Sequence, residues 1–244
     1  MKKQIYTILG ICLLLSLAVV AASAIDKGKS DKAIGGSVES PSYTTYHGNG
    51  IWSTTHILRK GDINQEKASK KPTVTGPTCY KLMGVQWAGT PNYVAQTQDL
   101  LDIAEISIGT WDEQTSFTLL GGGYVDETVT FEAVMDGKNS YSNGDYPLTG
   151  VIAVCRTWRD SYGNILEYDI MFDTDFTWGD ATVTSGVMDL QNIATHEIGH
   201  GFGLSDLYLR PCTEQTMYGY SSEGDIEKRS LESGDILGIQ TLYG

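Results

Sequence analysis

The stretch at positions 195–206 constrains this chain more than any other, because it has the form H-E-x-x-H-x-x-G-x-x-D. On a helix, His196 and His200 lie four residues apart on one face, so both imidazoles can reach one metal ion. Glu197 flanks that face, where its carboxylate can contact a metal-bound water. Asp206 can return from the next segment as a third ligand. Three protein ligands and one open position are typical of a catalytic zinc site.

The competing interpretation is a surface helix that happens to carry two histidines. The chain has only four histidines, and two of them fall at this spacing. Gly199, Gly201 and Gly203 would each cost an ordinary helix about 1 kcal/mol. They are explained if another segment packs closely against the helix, or if the helix ends there, as Gly203 permits. The sequence therefore favours the metal site.

The third ligand must be a carboxylate if no further histidine belongs to this part of the chain. His47 and His56 lie far upstream, in a segment that we expect to be outside the catalytic domain. Asp206 is favoured because it follows His200 by six residues. Some zinc peptidases take a glutamate from a later helix, so four alternatives remain. They are Glu214, Glu223, Glu227 and Glu232.

The motif resembles that of the metzincin clan of zinc endopeptidases, H-E-x-x-H-x-x-G-x-x-H followed by a methionine turn. Residues 216–220, T-M-Y-G-Y, are similar to that turn. The sequence departs from the matrixin pattern at Asp206, where matrixins have histidine, and there it resembles snapalysin-like bacterial proteases more closely. Met217 would then lie beneath the metal as apolar support. Either Tyr218 or Tyr220 could line the substrate pocket or hydrogen-bond the reacting centre.

Two further segments carry the same resemblance, which covers the chain from near Cys79 to its end. Tyr168–Phe172 is similar to the matrixin strand before the active-site helix, and residues 231–244 are similar to the C-terminal helix of matrixin-type domains. The implied fold is a single α+β, zincin-like metalloprotease domain. It has a twisted mixed β-sheet, an early packing helix, the active-site helix and a C-terminal helix.

The first 24 residues have the features of a cleaved export signal. Lys2 and Lys3 form a basic start, an apolar run covers residues 5–20, and A-S-A at 22–24 is a small-residue cleavage site. The alternative is an uncleaved membrane anchor, but the apolar run is short for a spanning helix. We therefore expect a mature chain that begins at Ile25, is secreted and has no membrane partner.

Charge divides the rest of the chain into two parts. Residues 25–77 carry a net charge of +3, whereas residues 78–244 carry a net charge of −18. A domain this acidic is a poor candidate for nucleic acid binding. It could bind calcium, or its charge could serve solubility alone. We expect protein or peptide substrates, no nucleic acid partner and a monomer.

Residues 25–77 are expected to be weakly structured and to form a linker or a pro-segment. Glycine, serine and proline at 35–37 and 40–42 indicate loops, and no 3.6-residue apolar period persists for three turns. Matrixins use a cysteine of the pro-segment to occupy the zinc. This segment has no cysteine, and Cys79 at its edge keeps only a P-x-C fragment of that motif. A cysteine switch is therefore disfavoured, and residues 78–244 form the predicted catalytic domain.

Three cysteines remain once the export signal is removed. One disulfide and one free thiol are the natural outcome in an oxidising exterior. Spacing cannot decide the pairing. A Cys79–Cys212 bridge is favoured, because it would tie the start of the domain to the loop before the methionine turn. Cys155 lies in an apolar, strand-like run and is expected to be buried.

Periodicity and turn signals predict the remaining elements. Apolar residues recur at three- and four-residue steps from Thr97 to Trp111, which predicts a helix. Residues 136–145 predict a solvated polar loop, which could hold calcium. Asp189 is a plausible N-cap for the active-site helix. The predicted strands are Tyr80–Trp87, Tyr93–Ala95, Phe117–Leu120, Thr128–Phe131, Val151–Trp158 and Ile165–Phe172, with a hairpin between the last two.

The sequence thus predicts a secreted zinc metalloendopeptidase. One catalytic zinc held by His196, His200 and Asp206 would activate water, and Glu197 would pass the proton of that water to the leaving amine. One alternative is a non-catalytic exported zinc-bearing module for binding or a surface layer, which has no need of a general base such as Glu197. A glutamate-liganded aminopeptidase is the other, but no site for a free amino terminus is recognisable.

Overall fold

The computed structural model describes residues 42–61, 79–131 and 134–244. The predicted export signal lies outside the described residues. So do residues 25–41 and 62–77 of the predicted linker or pro-segment.

One mixed β-sheet of eight strands organises the part of the chain that the structure describes. Its order is β1 (Tyr43–Gly48), β2 (Ile51–Lys60), β6 (Val151–Arg159), β7 (Ile165–Asp173), β5 (Asn139–Gly144), β3 (Tyr93–Ala95) and β4 (Gly123–Val125); β10 (Tyr220–Ser221) pairs with β2 outside this path. Strands β7, β5, β3 and β4 are paired in parallel, whereas β1, β2, β6 and β7 are paired antiparallel. A separate ribbon consists of β8 (Trp178–Gly179) and β9 (Met188–Asp189).

Within residues 42–61, 79–131 and 134–244, three α-helices complete this α+β fold: α1 (Gln98–Asp112), α2 (Leu190–Gly201) and α3 (Ser233–Tyr243). The main hydrophobic core joins α1 and α2 to the side chains of β6 and β7 that face them. Trp111 of α1 is fully buried, and its indole nitrogen donates to Thr195 O of α2 at 2.8 Å. Within the described residues, no helix has the length and apolar character needed to cross a membrane.

The predicted hairpin of β6 and β7 is present, with Cys155 opposite Ile170. Residues 151–155 are all buried, because β6 has neighbouring strands on both edges and core on both faces. One face of this pair meets α2. The other packs Val151, Val154 and Met171 into a second, smaller core.

Residues 43–60 contradict the expectation that the segment 25–77 is weakly structured. They form β1 and β2, joined by a tight turn in which Gly48, Asn49 and Gly50 all have positive φ. β2 lies antiparallel to β6, with His56 opposite Cys155. Strands pair through backbone groups and do not need the 3.6-residue apolar period of a helix. The lack of such a period in residues 25–77 therefore does not exclude strands.

Three predicted strands are wrong. Tyr80–Trp87 contributes only isolated bridges, from Leu82 and Gln86. Phe117–Leu120 and Thr128–Phe131 lie in irregular backbone. Apolar and β-branched residues in these runs still enter the core, so burial without strand pairing explains the error.

The polar loop predicted at 136–145 is also wrong, because it contains β5, whose first four residues are buried. Its polar side chains satisfy groups inside the sheet. Asn139 Nδ2 donates to Asn92 O at 2.8 Å, and Asn139 Oδ1 accepts from Tyr168 N at 2.9 Å. A strand whose buried polar residues find such partners has the same polar composition as a loop, which explains the wrong prediction.

Cys79 and Cys212 are joined by a disulfide, the pairing that the sequence favoured. Cys155 is a buried free thiol on β6. The bridge makes Cys79 unavailable as a metal-binding thiol, in agreement with the low weight given to a cysteine switch.

Candidate metal centre

Helix α2 holds the two motif histidines in a fixed place against the sheet. It begins after Asp189, as predicted, and the Asp189 side chain accepts the backbone N–H three residues on. Two other elements bind its last carbonyls. Trp87 Nε1 donates to Gly201 O at 3.0 Å, and Thr157 Oγ1 donates to His200 O at 3.2 Å. The helix is therefore fixed at both ends by hydrogen bonds to side chains.

Both histidines are oriented by hydrogen bonds at Nδ1. His196 Nδ1 donates to Thr216 O at 2.7 Å, and His200 Nδ1 donates to Leu204 O at 2.8 Å. A carbonyl oxygen can only accept, so each Nδ1 carries a proton and Nε2 is the nitrogen left to bind a metal. Hydrogen bonds of this kind fix the ring of a metal-binding histidine.

Asp206 reaches the same point from the segment after α2. Gly203 ends the helix with a φ of +100°, a conformation that favours glycine. Asp206 Oδ1 then lies 3.2 Å from His196 Nε2 and 3.4 Å from His200 Nε2. The structure therefore brings together the three residues that the motif nominates as ligands.

The three side chains fit a cation. In their neutral forms, two histidine nitrogens would repel an ionised carboxylate oxygen at these distances unless a positive charge lay between them. Burial lowers the pKa of His196 to about 4, so this ring is not protonated at neutral pH. Among the described residues, no hydrogen-bond partner reaches the buried His196 Nε2. Histidine nitrogen and carboxylate oxygen are ligands that zinc prefers.

The pKa shifts of Asp206 and His200 also favour a cation at this site. Burial by itself would raise the pKa of Asp206, but His200 and the other histidines around its carboxylate hold that pKa well below its usual value. Burial would lower the pKa of His200, and the Asp206 carboxylate more than offsets this and raises it. The centre favours positive charge, which a divalent cation supplies.

Glu197 lies next to this group and is completely buried. Within the described residues, neither of its carboxylate oxygens has a hydrogen-bond partner. Burial, aided by the charge on Asp206, raises the pKa of Glu197 to about 8. Burying a carboxyl without partners is costly, which argues against a purely structural role. A carboxyl that titrates near neutral pH can both accept and release a proton.

His56 is the residue of the site that the sequence analysis missed, since we expected it outside the catalytic domain. Its Nδ1 lies 3.0 Å from Asp206 Oδ2, and its ring stacks on His200 with centroids 3.9 Å apart. His56, His200 and Asp206 offer ligand atoms that all lie within 4.8 Å of one another. Asn49-Gly50 between β-branched and aromatic runs is a strong hairpin signal, and it could have revealed β2.

Met217 packs against α2 at Gly199. A Cβ on Gly199 would collide with the Met217 sulfur and would come within 2.8 Å of the Trp111 ring. This close approach explains a glycine that an ordinary helix would not favour. The role of Met217 as support for a metal stays a prediction.

The turn around Met217 is fixed from two sides. Asp235 of α3 accepts from Thr216 N at 2.7 Å and from Met217 N at 3.1 Å. Lys228 is buried, and its Nζ donates to Tyr218 O at 2.7 Å and to Thr216 O at 3.3 Å. Burial lowers the pKa of Lys228 to about 8. These residues carry no motif, so no local signal in the sequence marks them.

The two predicted pocket tyrosines lie on or next to β10, which pairs with β2. Tyr218 is buried, and Tyr220 lies on β10 with its ring centroid 5.9 Å from that of Tyr218. Tyr220 pairs with Arg59, three residues from His56. Their contact with substrate stays a prediction.

The glutamates considered as alternative third ligands do not join the group. Glu214, Glu227 and Glu232 are exposed, and Glu223 pairs with Lys60 at 2.6 Å. A separate acidic group is formed by Asp145, Asp173 and Asp175, whose carboxylates offer oxygens within 4.8 Å of one another.

Comparison with known proteins relates most of the chain to one family. The matrixin profile of peptidase family M10 matches residues 89–244. The chain is 40% identical to matrix metalloproteinase-18 of Xenopus laevis over 138 residues, which make up 55% of this chain and 26% of that protein. It is 32% identical to stromelysin-1 of Mus musculus over 160 residues, 64% of this chain and 30% of that protein. It is 28% identical to stromelysin-3 of Rattus norvegicus over 167 residues, 68% of this chain and 30% of that protein. The chain therefore spans less than a third of the length of these curated relatives.

Proposed function

Since the chain belongs to the matrixin family, we propose that it is a zinc-dependent endopeptidase whose metal ligands are His196, His200 and Asp206. The observation that carries the proposal is the convergence of the two Nε2 atoms on Asp206 Oδ1, beside the buried and unpartnered carboxyl of Glu197. Zinc bound there would lower the pKa of a water molecule and polarise the scissile carbonyl.

Glu197 is the proposed general base. Its raised pKa suits a group that accepts a proton from water and returns it to the leaving amine. His196 and His200 keep their orientation because backbone carbonyls hold each Nδ1 proton. Asp206 brings a negative charge, which should make the metal a somewhat weaker Lewis acid than a site with three histidines.

The strand that lies beside the metal ligands favours cleavage within a chain rather than at its end. β2 lies there as an internal segment, with β1 before it and Gly61 after it. An extended substrate can pair with β6 in the same way, since such pairing uses backbone groups and accepts many sequences. This supports endopeptidase action on proteins or peptides over aminopeptidase action.

Export, calcium binding and a monomeric state belong to the same proposal. The basic and apolar start of the sequence supports export through a cleaved signal. The group of Asp145, Asp173 and Asp175 offers the oxygen ligands that calcium prefers, and Asp145 ends the segment 136–145 in which the sequence indicated calcium, so the structural calcium is proposed there.

The second candidate function is a non-catalytic zinc-bearing module. The burial of all the metal-facing residues would suit a closed structural site, in which four protein ligands surround zinc. Glu197 separates the two functions, because a structural site gains nothing from a buried carboxyl without partners.

The test is casein hydrolysis by the chain from residue 25 onward, with bound zinc measured in the same samples. Glu197→Gln should keep zinc and lose at least about 100-fold in rate, because general-base catalysis contributes that much. Glu214→Gln changes an exposed glutamate and is the matched control. Each protein is assayed with and without His56→Ala, since His56 lies against the ligands. Zinc binding without hydrolysis in all of them would support the module.

A further inference from the structure

We propose that the β1–β2 hairpin, residues 43–60, is a built-in occupant of the substrate groove, with His56 as the residue that closes the metal centre and keeps the intact chain latent. This inference rests on the proposed function, because latency has meaning only for an enzyme.

Backbone pairing on both sides holds β2 in the position of a bound peptide. One edge pairs antiparallel with β6, from Trp52 opposite Arg159 to Arg59 opposite Val151. At its far end the other edge pairs in parallel with β10, the short strand that follows the Met217 turn. Gly61 N donates to Ser221 O at 3.0 Å and extends this pairing. Without the hairpin, β6 would be an open sheet edge, which is a template for an extended peptide.

The register of β2 places the side chain of His56 against the metal ligands. Side chains alternate along the strand, so His56 and Leu58 face the main core and α2, while Ile57 packs into the smaller core on the other face. His56 contacts both Asp206 and His200. The group that faces the metal ligands is therefore a side chain of the chain itself.

The metal ligands and the general base are sealed from solvent in this arrangement. His196 and Glu197 are 0% exposed, His200 is 1% exposed and Asp206 is 3% exposed. A catalytic zinc site keeps one position open for water and substrate. His56 offers a ring nitrogen that lies within 4.8 Å of ligand atoms of both His200 and Asp206, so it can supply a further ligand at this position.

The hairpin carries a second histidine that serves as an internal control. His47 lies on β1, where its Nε2 is 2.8 Å from Ser53 Oγ and its ring contacts Trp158. It belongs to the same hairpin as His56 but is not a member of the group of potential ligands. Replacing His47 changes the hairpin without removing the residue that faces the metal.

The first experiment measures, by spectroscopy rather than by activity, whether an added ligand can reach the metal. The chain from residue 25 onward is loaded with Co²⁺ in place of zinc, and its visible absorption spectrum is recorded during a titration with acetohydroxamate. The wild-type and His47→Ala spectra should not change, because His56 closes the centre. The His56→Ala spectrum should shift as the ligand enters the open position. Equal responses from all three proteins would overturn the proposal.

The second experiment measures hydrolysis of casein by the same proteins loaded with zinc. His56→Ala should be at least about tenfold more active than wild type and His47→Ala, since a closed centre reduces the competent fraction. Lower activity and weaker metal binding in His56→Ala would overturn the proposal and make His56 a part of the working enzyme.

The two experiments separate failure of the latency proposal from failure of the proposed function. A hydroxamate response confined to His56→Ala, with no hydrolysis by any protein, keeps the closure by His56 and rejects the peptidase. Equal hydrolysis by all three proteins, with equal hydroxamate responses, keeps the peptidase and rejects the closure.

Discussion

Helix α2 and strand β2 both carry histidines of one metal group, but they are held in different ways. Side chains from α1, β6 and the segment before β3 bind the carbonyls of α2 directly. β2 is held by backbone pairing to β6 along most of its length and to β10 at its end, with side-chain bonds such as His56 to Asp206 added to that pairing. Bonds to particular side chains permit one arrangement only, whereas backbone pairing accepts any extended chain. The difference indicates that α2 is a rigid metal-binding side, whereas the position of β2 can accept a different extended chain.

The largest effect on the rigid side is expected from Gly199→Ala. The added methyl group meets the Met217 sulfur and the Trp111 ring, and both are buried. We expect a loss of about 3 kcal/mol in the free energy of unfolding, measured with urea, because overpacking forces the neighbours apart.

Gly109→Ala on α1 is the matched helical control. A Cβ at Gly109 meets nothing within 4 Å, so this change should stabilise the protein by about 0.5–1 kcal/mol. If both substitutions changed the free energy of unfolding equally, α2 would not be the tightly packed, rigid element described above.

A smaller loss, about 1–2 kcal/mol at pH 7, is expected from Lys228→Met. The variant keeps the apolar length of the side chain but removes the Lys228 donor from the buried carbonyls of Tyr218 and Thr216, and Thr216 O keeps only its bond from His196 Nδ1. The urea midpoint should fall, and the metal affinity should fall with it, because Thr216 O also orients His196.

The stability of the wild type should also depend on pH through Lys228. Its pKa is about 8 in the folded protein and 10.5 when exposed, so between these values the unfolded chain binds more protons. The free energy of unfolding therefore rises with pH across this window. Lys228→Met should lack the rise between pH 8 and 9.5, and a rise of the same size in the variant would contradict the assignment.

The smallest effect is expected on the exchangeable side, from Thr54→Ala. Thr54 lies on β2, and its hydroxyl pairs with that of Thr44 at 3.1 Å in an exposed place. The change should alter the free energy of unfolding by no more than about 0.5 kcal/mol. A cost similar to that of Gly199→Ala would mean that side chains fix β2 as firmly as α2.

The sequence alone predicted the features that depend on residues close to one another in the chain. The motif of α2, its Asp189 cap and the return of Asp206 depend on spacings within a few turns of chain. The apolar runs of β6 and β7 gave the central hairpin in the same way. The helix at Gln98–Asp112 followed from the apolar period between Thr97 and Trp111.

What the sequence left out depends on contacts between distant segments. β5 looked like a loop because its asparagine and serine side chains satisfy groups inside the sheet. Lys228 and Asp235 fix the Met217 turn from later segments, without any motif of their own. His56 was misplaced because its place is set by pairing with a strand about a hundred residues later, whose register no local pattern records.

The position of the disulfide has a consequence for how long the hairpin stays in the groove. The Cys79–Cys212 bridge begins immediately after residues 62–78, and residues 25–78 contain no cysteine. A single cut between Gly61 and Cys79 would therefore leave the hairpin with no covalent tie to the rest of the chain. While it is tethered, the hairpin competes with substrate at an effective concentration on the order of millimolar. After the cut, its concentration falls to that of the enzyme itself, so dilution makes its departure permanent.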